Sequence, residues 1–310
     1  MTATASQALD IQGHRGARGL APENTLPAFA KALALGVSTL ELDCAITRDG
    51  VVVVSHDPAL NPDITRGPDG KWLQQTGPAI RSLTYQELQR YDVGRINPAS
   101  AYAERWPEQR PVDGTRIPRL ADLFALVRKS GNTAVRFNIE TKISPLEPTQ
   151  TTDPEDFARK LISAVRSAGM AERTAIQSFD WRTLAVVQRE APEIPTAYLT
   201  SVSGFMDNIQ ATGDSPWTAG HRARDHGGSI PRMIKAAGGA VWSPYQGDLT
   251  RKAIREARTL GLKVVAWTMN EPAGMRRLIE WGADGVISDR PDLLRKVAGE
   301  MGVTLPPSTP

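Results

Sequence analysis

The chain has 310 residues, enough to bury a large core without staples, and its single cysteine, Cys44, excludes an internal disulfide. Its 37 Lys and Arg are interleaved with 34 Asp and Glu, and a net charge of +3 spread in this way reads as a solvated surface rather than a nucleic-acid footprint. No run approaches the roughly 18 apolar residues of a membrane span, and no signal peptide is visible, so a cytoplasmic protein is expected, or a periplasmic or secreted one if a leader was removed.

The first strand is expected at 10–14, ending on His14-Arg15-Gly16. Pro22-Glu23-Asn24-Thr25 follows. Leu26, Phe29, Ala30 and Leu33 then carry the spacing of an amphipathic helix, with Thr25 as its N-cap and Gly36 as its stop. A second strand at 39–46 alternates Leu40, Leu42, Cys44 with Glu41, Asp43, Ala45. Val51–Ser55 reads as another strand, only Thr47–Gly50 further on. A parallel crossover needs about a dozen residues, so this connection is an antiparallel hairpin turned by Asp49-Gly50. Folding back sets His56 roughly opposite Glu41.

Further strands are expected at 134–142, 174–178, 195–200, 240–245, 263–268 and 285–289, with helices near 120–129, 155–168, 181–190, 250–260, 271–281 and 291–299. Strand alternating with helix predicts a parallel sheet, and eight such strands predict a closed (β/α)8 TIM barrel. The whole chain, 1–310, reads as one domain with a core at about 10–297. Two Pro/Gly-rich excursions, 57–119 (a loop-rich insertion) and 201–238, follow strands and so belong at the C-terminal face. The end of the chain, 301–310, has prolines crowded after Leu305 and is expected to be disordered.

Two strands have polar inward faces. Glu41 and Asp43 share one, and Arg136, Asn138, Glu140 and Lys142 share the other, opposite Val135, Phe137 and Ile139. Barrel interiors are ordinarily filled with branched apolar side chains, so these faces mark a site. Three inward carboxylates (Glu41, Asp43, Glu140) do not all stay ionised without cations. Lys142 can neutralise one, and a hard divalent ion would satisfy the others. An all-oxygen donor set favours Mg²⁺ or Ca²⁺ over zinc, and a structural ion-pair network is the alternative. His14, at the catalytic edge of the first strand, brings an imidazole suited to proton transfer near neutral pH. Arg15 offers a fork for a phosphate, and Gly16 allows close backbone approach. Cys44 reads as packing, Asp289 as a residue that orients a site group or caps a helix, and His221 and His226 as loop histidines.

The segment His14–Pro58, HRGARGLAPENTLPAF…ELDCAITRDGVVVVSHDP, resembles the signature of the glycerophosphodiester phosphodiesterases. That family reads HRG, PENT with AF shortly after, E-x-D, T-x-DG and V-x-HD. Asn138-Ile139-Glu140-Thr141-Lys142, Gln177-Ser178-Phe179, Trp267-Thr268 and the closing Gly285–Pro291 also fit, so the resemblance spans about 10–297. It implies a barrel enzyme with His14 and His56 as acid/base pair and Glu41, Asp43 and Glu140 as ligands of one divalent cation. Arg15 and Lys142 would contact phosphate, and Trp267 would wall the pocket. The implied reaction converts a small glycerophosphodiester to glycerol 3-phosphate and an alcohol through a cyclic phosphate, without nucleic acid or stable membrane insertion. The alternative is lysophospholipase D-type hydrolysis of lipid diesters. Departures from the pattern are Thr141, expected to point outward, and Arg119, where Thr is commoner. Oligomeric state is left open.

Overall fold

The computed structural model describes residues 8–309. In chain order the elements are β1 (Asp10–Gly13), α1 (Leu26–Leu35), β2 (Thr39–Ile46), β3 (Val52–Val54), α2 (Tyr85–Leu88), α3 (Ala101–Glu104), α4 (Leu120–Lys129), β4 (Arg136–Thr141), α5 (Pro154–Ser167) and β5 (Thr174–Ser178). There follow α6 (Trp181–Glu190), β6 (Thr196–Thr200), α7 (Ile230–Ala236), β7 (Val241–Pro244), α8 (Arg251–Thr259), β8 (Lys263–Ala266), α9 (Pro272–Trp281), β9 (Gly285–Ser288) and α10 (Pro291–Glu300). All strands but β3 are parallel. Because β1 pairs with both β9 and β2, they close into the expected eight-stranded barrel.

The unequal lengths of β1 and β2 position the site. β1 reaches only as far as Leu40 along the edge of β2, with Gly13 opposite it. The upper part of that edge is taken by β3, paired antiparallel through Cys44 and Val54. The turn uses Gly50 at φ 79°, and Thr47 bonds across it to the Asp49 carboxylate (2.6 Å). The chain therefore leaves β1 at His14 below the rim, while the hairpin returns His56 to the same rim. Ser55 N–H donates to Asp43 O at 2.9 Å, so continuing the register brings His56 opposite Leu42, between Asp43 and Glu41.

Between barrel and helices the core contains Phe29, Leu33, Leu40, Leu42, Cys44, Phe124, Phe137, Ile139, Phe157 and Trp181, all nearly inaccessible to solvent. Full burial of such side chains contributes about 1.5–3 kcal/mol each. Cys44 is packing, as its alternation predicts. Thr141 also faces outward, bonding to the Thr183 hydroxyl of α6 at 2.8 Å. The 57–119 excursion carries its own core of Leu60, Ile80, Leu88, Val93 and Ile117, closed against Ala45 and Val53.

Two features differ from expectation. Helix α7 lies inside the second excursion, capped by Ser229 with Pro231 in its first turn. It is short and flanked by Gly227-Gly228 and Gly238-Gly239, which hid it. The C-terminal segment, expected to be disordered, instead folds back on α1. Thr309 N–H donates to Leu33 O (2.9 Å), its hydroxyl accepts from Asn132 (2.8 Å), and Pro306 O accepts from Arg295 (2.7 Å). Prolines lack a donor but keep a carbonyl acceptor, and Arg295 uses it. Pro310 lies outside the described residues. Among those residues no helix is long and apolar enough to cross a membrane.

Candidate active site

Below the rim, the barrel interior is a polar ladder rather than an apolar plug. Asn138 donates to Gln12 and to Gln177, both at 2.9 Å, and Gln177 donates to Glu41 Oε1 at 2.8 Å. Glu41 Oε2 accepts the Arg15 N–H at 2.8 Å. Asp43 Oδ2 accepts from Asn24 at 2.8 Å. The first two inward carboxylates are thus aimed by three donors, one on β5 and two on the turn after β1.

The turn after β1 is tight. Arg15 has φ 50° and Asn24 φ 56°, conformations uncommon for residues with a side chain, least so for Asn. Gly16, at φ 85°, lies so close to α1 that a Cβ there would stand 2.7 Å from the Ala28 carbonyl carbon. Backbone strain of this kind collects at functional sites because the surrounding structure holds it in place. Here it turns the Arg15 N–H toward Glu41.

Each histidine is held in the same way. His14 Nδ1 lies 2.7 Å from Asp289 Oδ1, and Asp289 Oδ2 accepts from Asn270 at 2.7 Å. His56 Nδ1 lies 2.8 Å from Asp57 Oδ1, and Asp57 Oδ2 accepts from Asn61 at 2.8 Å. An Nδ1–H donated to a carboxylate fixes the tautomer and turns Nε2 toward the cavity. His14 Nε2 is 4.0 Å from Glu41 Oε2. The two dyads differ in one respect, since Asp289 also receives a two-pronged pair from Arg18 (2.6 and 3.1 Å).

Glu41, Asp43 and Glu140 each offer an oxygen within 4.8 Å of the others, and all three are buried. Lys142 Nζ sits 2.8 Å from Glu140 and 3.8 Å from Asp43. Arg15 enters with part of its fork engaged: Nη1 pairs with Glu23 (2.5 Å), and Nε, 3.4 Å from Asp43, makes no hydrogen bond. Tyr102 of α3 donates to the other oxygen of Glu23 and accepts from Arg18, so the first excursion braces both arginines.

The electrostatics follow from this crowding. Burial, reinforced by Asp43, pushes the Glu41 carboxyl well above its usual value. Burial likewise raises Glu140 to about 7, although Lys142 opposes it. Burial would raise Asp43 too, but the charges of His56, Arg15 and Lys142 hold it far below the ordinary range. Loss of solvent lowers His56 to about 4, helped by Arg15 and Lys142. It also lowers His14, with the Asp289 charge opposing.

All eight residues singled out in the sequence (His14, Arg15, Glu41, Asp43, His56, Glu140, Lys142, Trp267) line one cavity of about 460 Å³. His221 and His226 do not line it. Asp57 was overlooked although it adjoins His56, and Arg18 although it lies four residues beyond His14. Glu23 and Asn24 stood in plain view within the PENT string. Tyr102 and Asn270 carried no local signal, because only tertiary folding brings them to the site.

Residues 14–293 match the glycerophosphoryl diester phosphodiesterase family. A glycerophosphodiester phosphodiesterase of Caldanaerobacter subterraneus subsp. tengcongensis is 27% identical over 285 residues, 92% of this chain and 95% of that one. The crystal structure of a glycerophosphoryl diester phosphodiesterase homologue from Silicibacter pomeroyi superposes with a TM-score of 0.86 at 35% identity, covering 96% of this chain and 95% of the other. An Oleispira antarctica phosphodiesterase, solved with the product sn-glycerol-3-phosphate, has the same fold at a TM-score of 0.68 and 20% identity, covering 94% and 97%. With the signature residues, the barrel and the full-length match in agreement, the chain belongs to the glycerophosphoryl diester phosphodiesterase family and is a hydrolase.

Proposed function

We propose that the protein hydrolyses small glycerophosphodiesters to glycerol 3-phosphate and a free alcohol, using a divalent cation and His14 and His56 as the acid/base pair. The observation that carries this reading is the convergence of two Asp-oriented imidazoles and three buried carboxylates on one cavity. The donor set fits a hard ion, since it is all oxygen, buried and short of compensating positive charge. Glu41, Asp43 and Glu140 would hold Mg²⁺ or Ca²⁺, in keeping with a family that is generally dependent on divalent metal. When bound, the ion would polarise the non-bridging P–O bonds and offset the charge that builds on them.

The remaining steps belong to the chain. Lys142 and the free part of the Arg15 fork attract and orient the anionic diester. One imidazole Nε2 takes the proton of the glycerol hydroxyl beside the phosphate, and that oxygen attacks phosphorus. The other imidazole gives its proton to the departing alcohol, leaving a cyclic phosphate. Water then opens the ring with the two roles exchanged, which yields glycerol 3-phosphate. Trp267, fixed by its indole N–H on Ser243 O (2.9 Å), walls the substrate side.

The test is product release from a panel of glycerophosphodiesters, with and without added metal. Turnover is expected with Mg²⁺ or Ca²⁺ and not in EDTA. Undiminished activity in EDTA with no bound metal would remove the ion. Rapid cleavage of bis(p-nitrophenyl) phosphate, which has no neighbouring hydroxyl, would replace the cyclic route by direct attack of water. A second reading, lysophospholipid hydrolysis, is favoured by the apolar residues at the rim of the cavity. Comparing glycerophosphocholine with lysophosphatidylcholine decides between the two.

A further inference from the structure

The outer half of the cavity is aromatic. Phe179 follows β5, Phe205 lies in the loop after β6, and Trp267 follows β8. Their ring centroids are 5.3 Å (Phe179–Trp267), 6.1 Å (Phe205–Trp267) and 6.3 Å (Phe179–Phe205) apart, with the rings edge to face. Phe205 is 74% exposed, yet its loop is firmly held. The Asp248 carboxylate accepts from Val202 N–H (2.7 Å), Ser203 N–H (3.1 Å) and the Ser203 hydroxyl (2.5 Å), and Asn208 Oδ1 accepts from Ser201 N–H (2.8 Å). Gly204, at φ 96°, lets the loop lie against the Tyr245 ring. Glu147, on the β4–α5 connection, lines the same cavity. It is exposed at the mouth and its carboxylate has no ion pair or hydrogen bond among the described residues, whereas the deeper acids are buried and engaged. Lys142 approaches Phe179 (5.9 Å to the ring), but its charge is matched by Glu140.

We infer that this outer half is the subsite for the leaving alcohol and that it selects an alcohol carrying an alkylated ammonium group. The inference rests on the hydrolase reading for which end of the diester departs. A trimethylammonium group has no N–H to satisfy, is drawn to π faces, and gains from a nearby carboxylate; at such sites this is worth roughly three- to thirtyfold in affinity. A polyol would leave hydroxyls unpaired against the rings.

Two measurements on the intact protein test the subsite. Calorimetric titration with choline and with its neutral carbon isostere, 3,3-dimethyl-1-butanol, needs no turnover. Choline should bind at least threefold more tightly, and Phe205→Ala and Glu147→Gln should each reduce that ratio. Equal binding of the isostere, or no effect of either variant, overturns the selection of charge. In the second, kcat/KM for glycerophosphocholine should exceed that for glycerophosphoglycerol at least threefold, and the ratio should fall toward one in both variants. Diesters cleaved without preference, with no choline binding, sink the subsite alone. Choline bound selectively with no diester cleaved sinks the hydrolase reading alone.

Discussion

His14 and His56 reach the cavity from different strands, yet each is backed by an aspartate whose second oxygen is held by an asparagine. The difference between the backings yields a prediction. Asp289 is almost fully buried and also neutralises Arg18, whereas Asp57 is a third exposed and bonds only His56 and Asn61. Asp289→Asn leaves a buried guanidinium without its counter-charge and should cost about 3 kcal/mol in urea unfolding. Asp57→Asn should cost less than about 1 kcal/mol. Both should lower kcat, because an amide neither holds the reactive tautomer nor stabilises an imidazolium. Replacing His14 or His56 by Ala should reduce kcat by about 10²–10⁴-fold with the fold intact by circular dichroism, and near-normal turnover would remove that residue from the chemistry. Both rings titrate below the ordinary histidine value because they have lost solvent, His56 near 4. The acidic limb of kcat/KM, which reports the base that must be neutral in the free enzyme, should therefore lie below pH 6.5. A limb centred above 7 would mean that the aspartate partners, which raise both rings, outweigh the loss of solvent.

At the scale of elements, the turn between β1 and α1 and the hairpin between β2 and β3 do most of the positioning. Gly16→Ala places a methyl within 2.9 Å of the Ala28 backbone in a left-handed conformation, so it should cost at least about 2 kcal/mol and displace His14 and Arg15. Gly70→Ala is the control. Its φ is also positive, at 77°, but nothing lies within 4 Å, so it should cost only about 1 kcal/mol and leave kcat unchanged. The strands and the hairpin were legible from alternation and spacing, because a one-residue change in periodicity moves a side chain from core to cavity. Glu41, Asp43 and Glu140 were legible for the same reason, as charges on faces that should have been apolar. The supports were harder to read. Gln177 reaches Glu41 across the barrel interior, Tyr102 reaches Glu23 from 79 residues away, and neither relation has a local period. The end of the chain misled for a different reason: proline content reports on donors lost, whereas Arg295 and Asn132 supply the donors that hold it.

At the scale of the whole molecule, the barrel keeps unneutralised acid at its mouth, and that shapes stability. Glu41 is raised well above 4.5 by burial and Glu140 to about 7. The unfolded chain releases these protons near pH 4.5, whereas the folded chain without metal retains them to higher pH. Between roughly pH 4.5 and 7 the native state therefore binds more protons, and its stability falls as pH rises through that window. A divalent cation held by these three acids, as proposed, would compete for the same oxygens and so bind better as the protons leave. At a concentration about 100 times its dissociation constant it adds about 2.7 kcal/mol. The rise in Tm on replacing EDTA with excess Mg²⁺ or Ca²⁺ should accordingly be small near pH 5 and grow steadily to pH 8. Glu140→Gln would remove both a proposed ligand and the titrating group, and should flatten that dependence and weaken the metal response together. A Tm gain that is independent of pH, or largest in acid, would mean that the cation binds elsewhere and that the three acids are held by the protein's own charges.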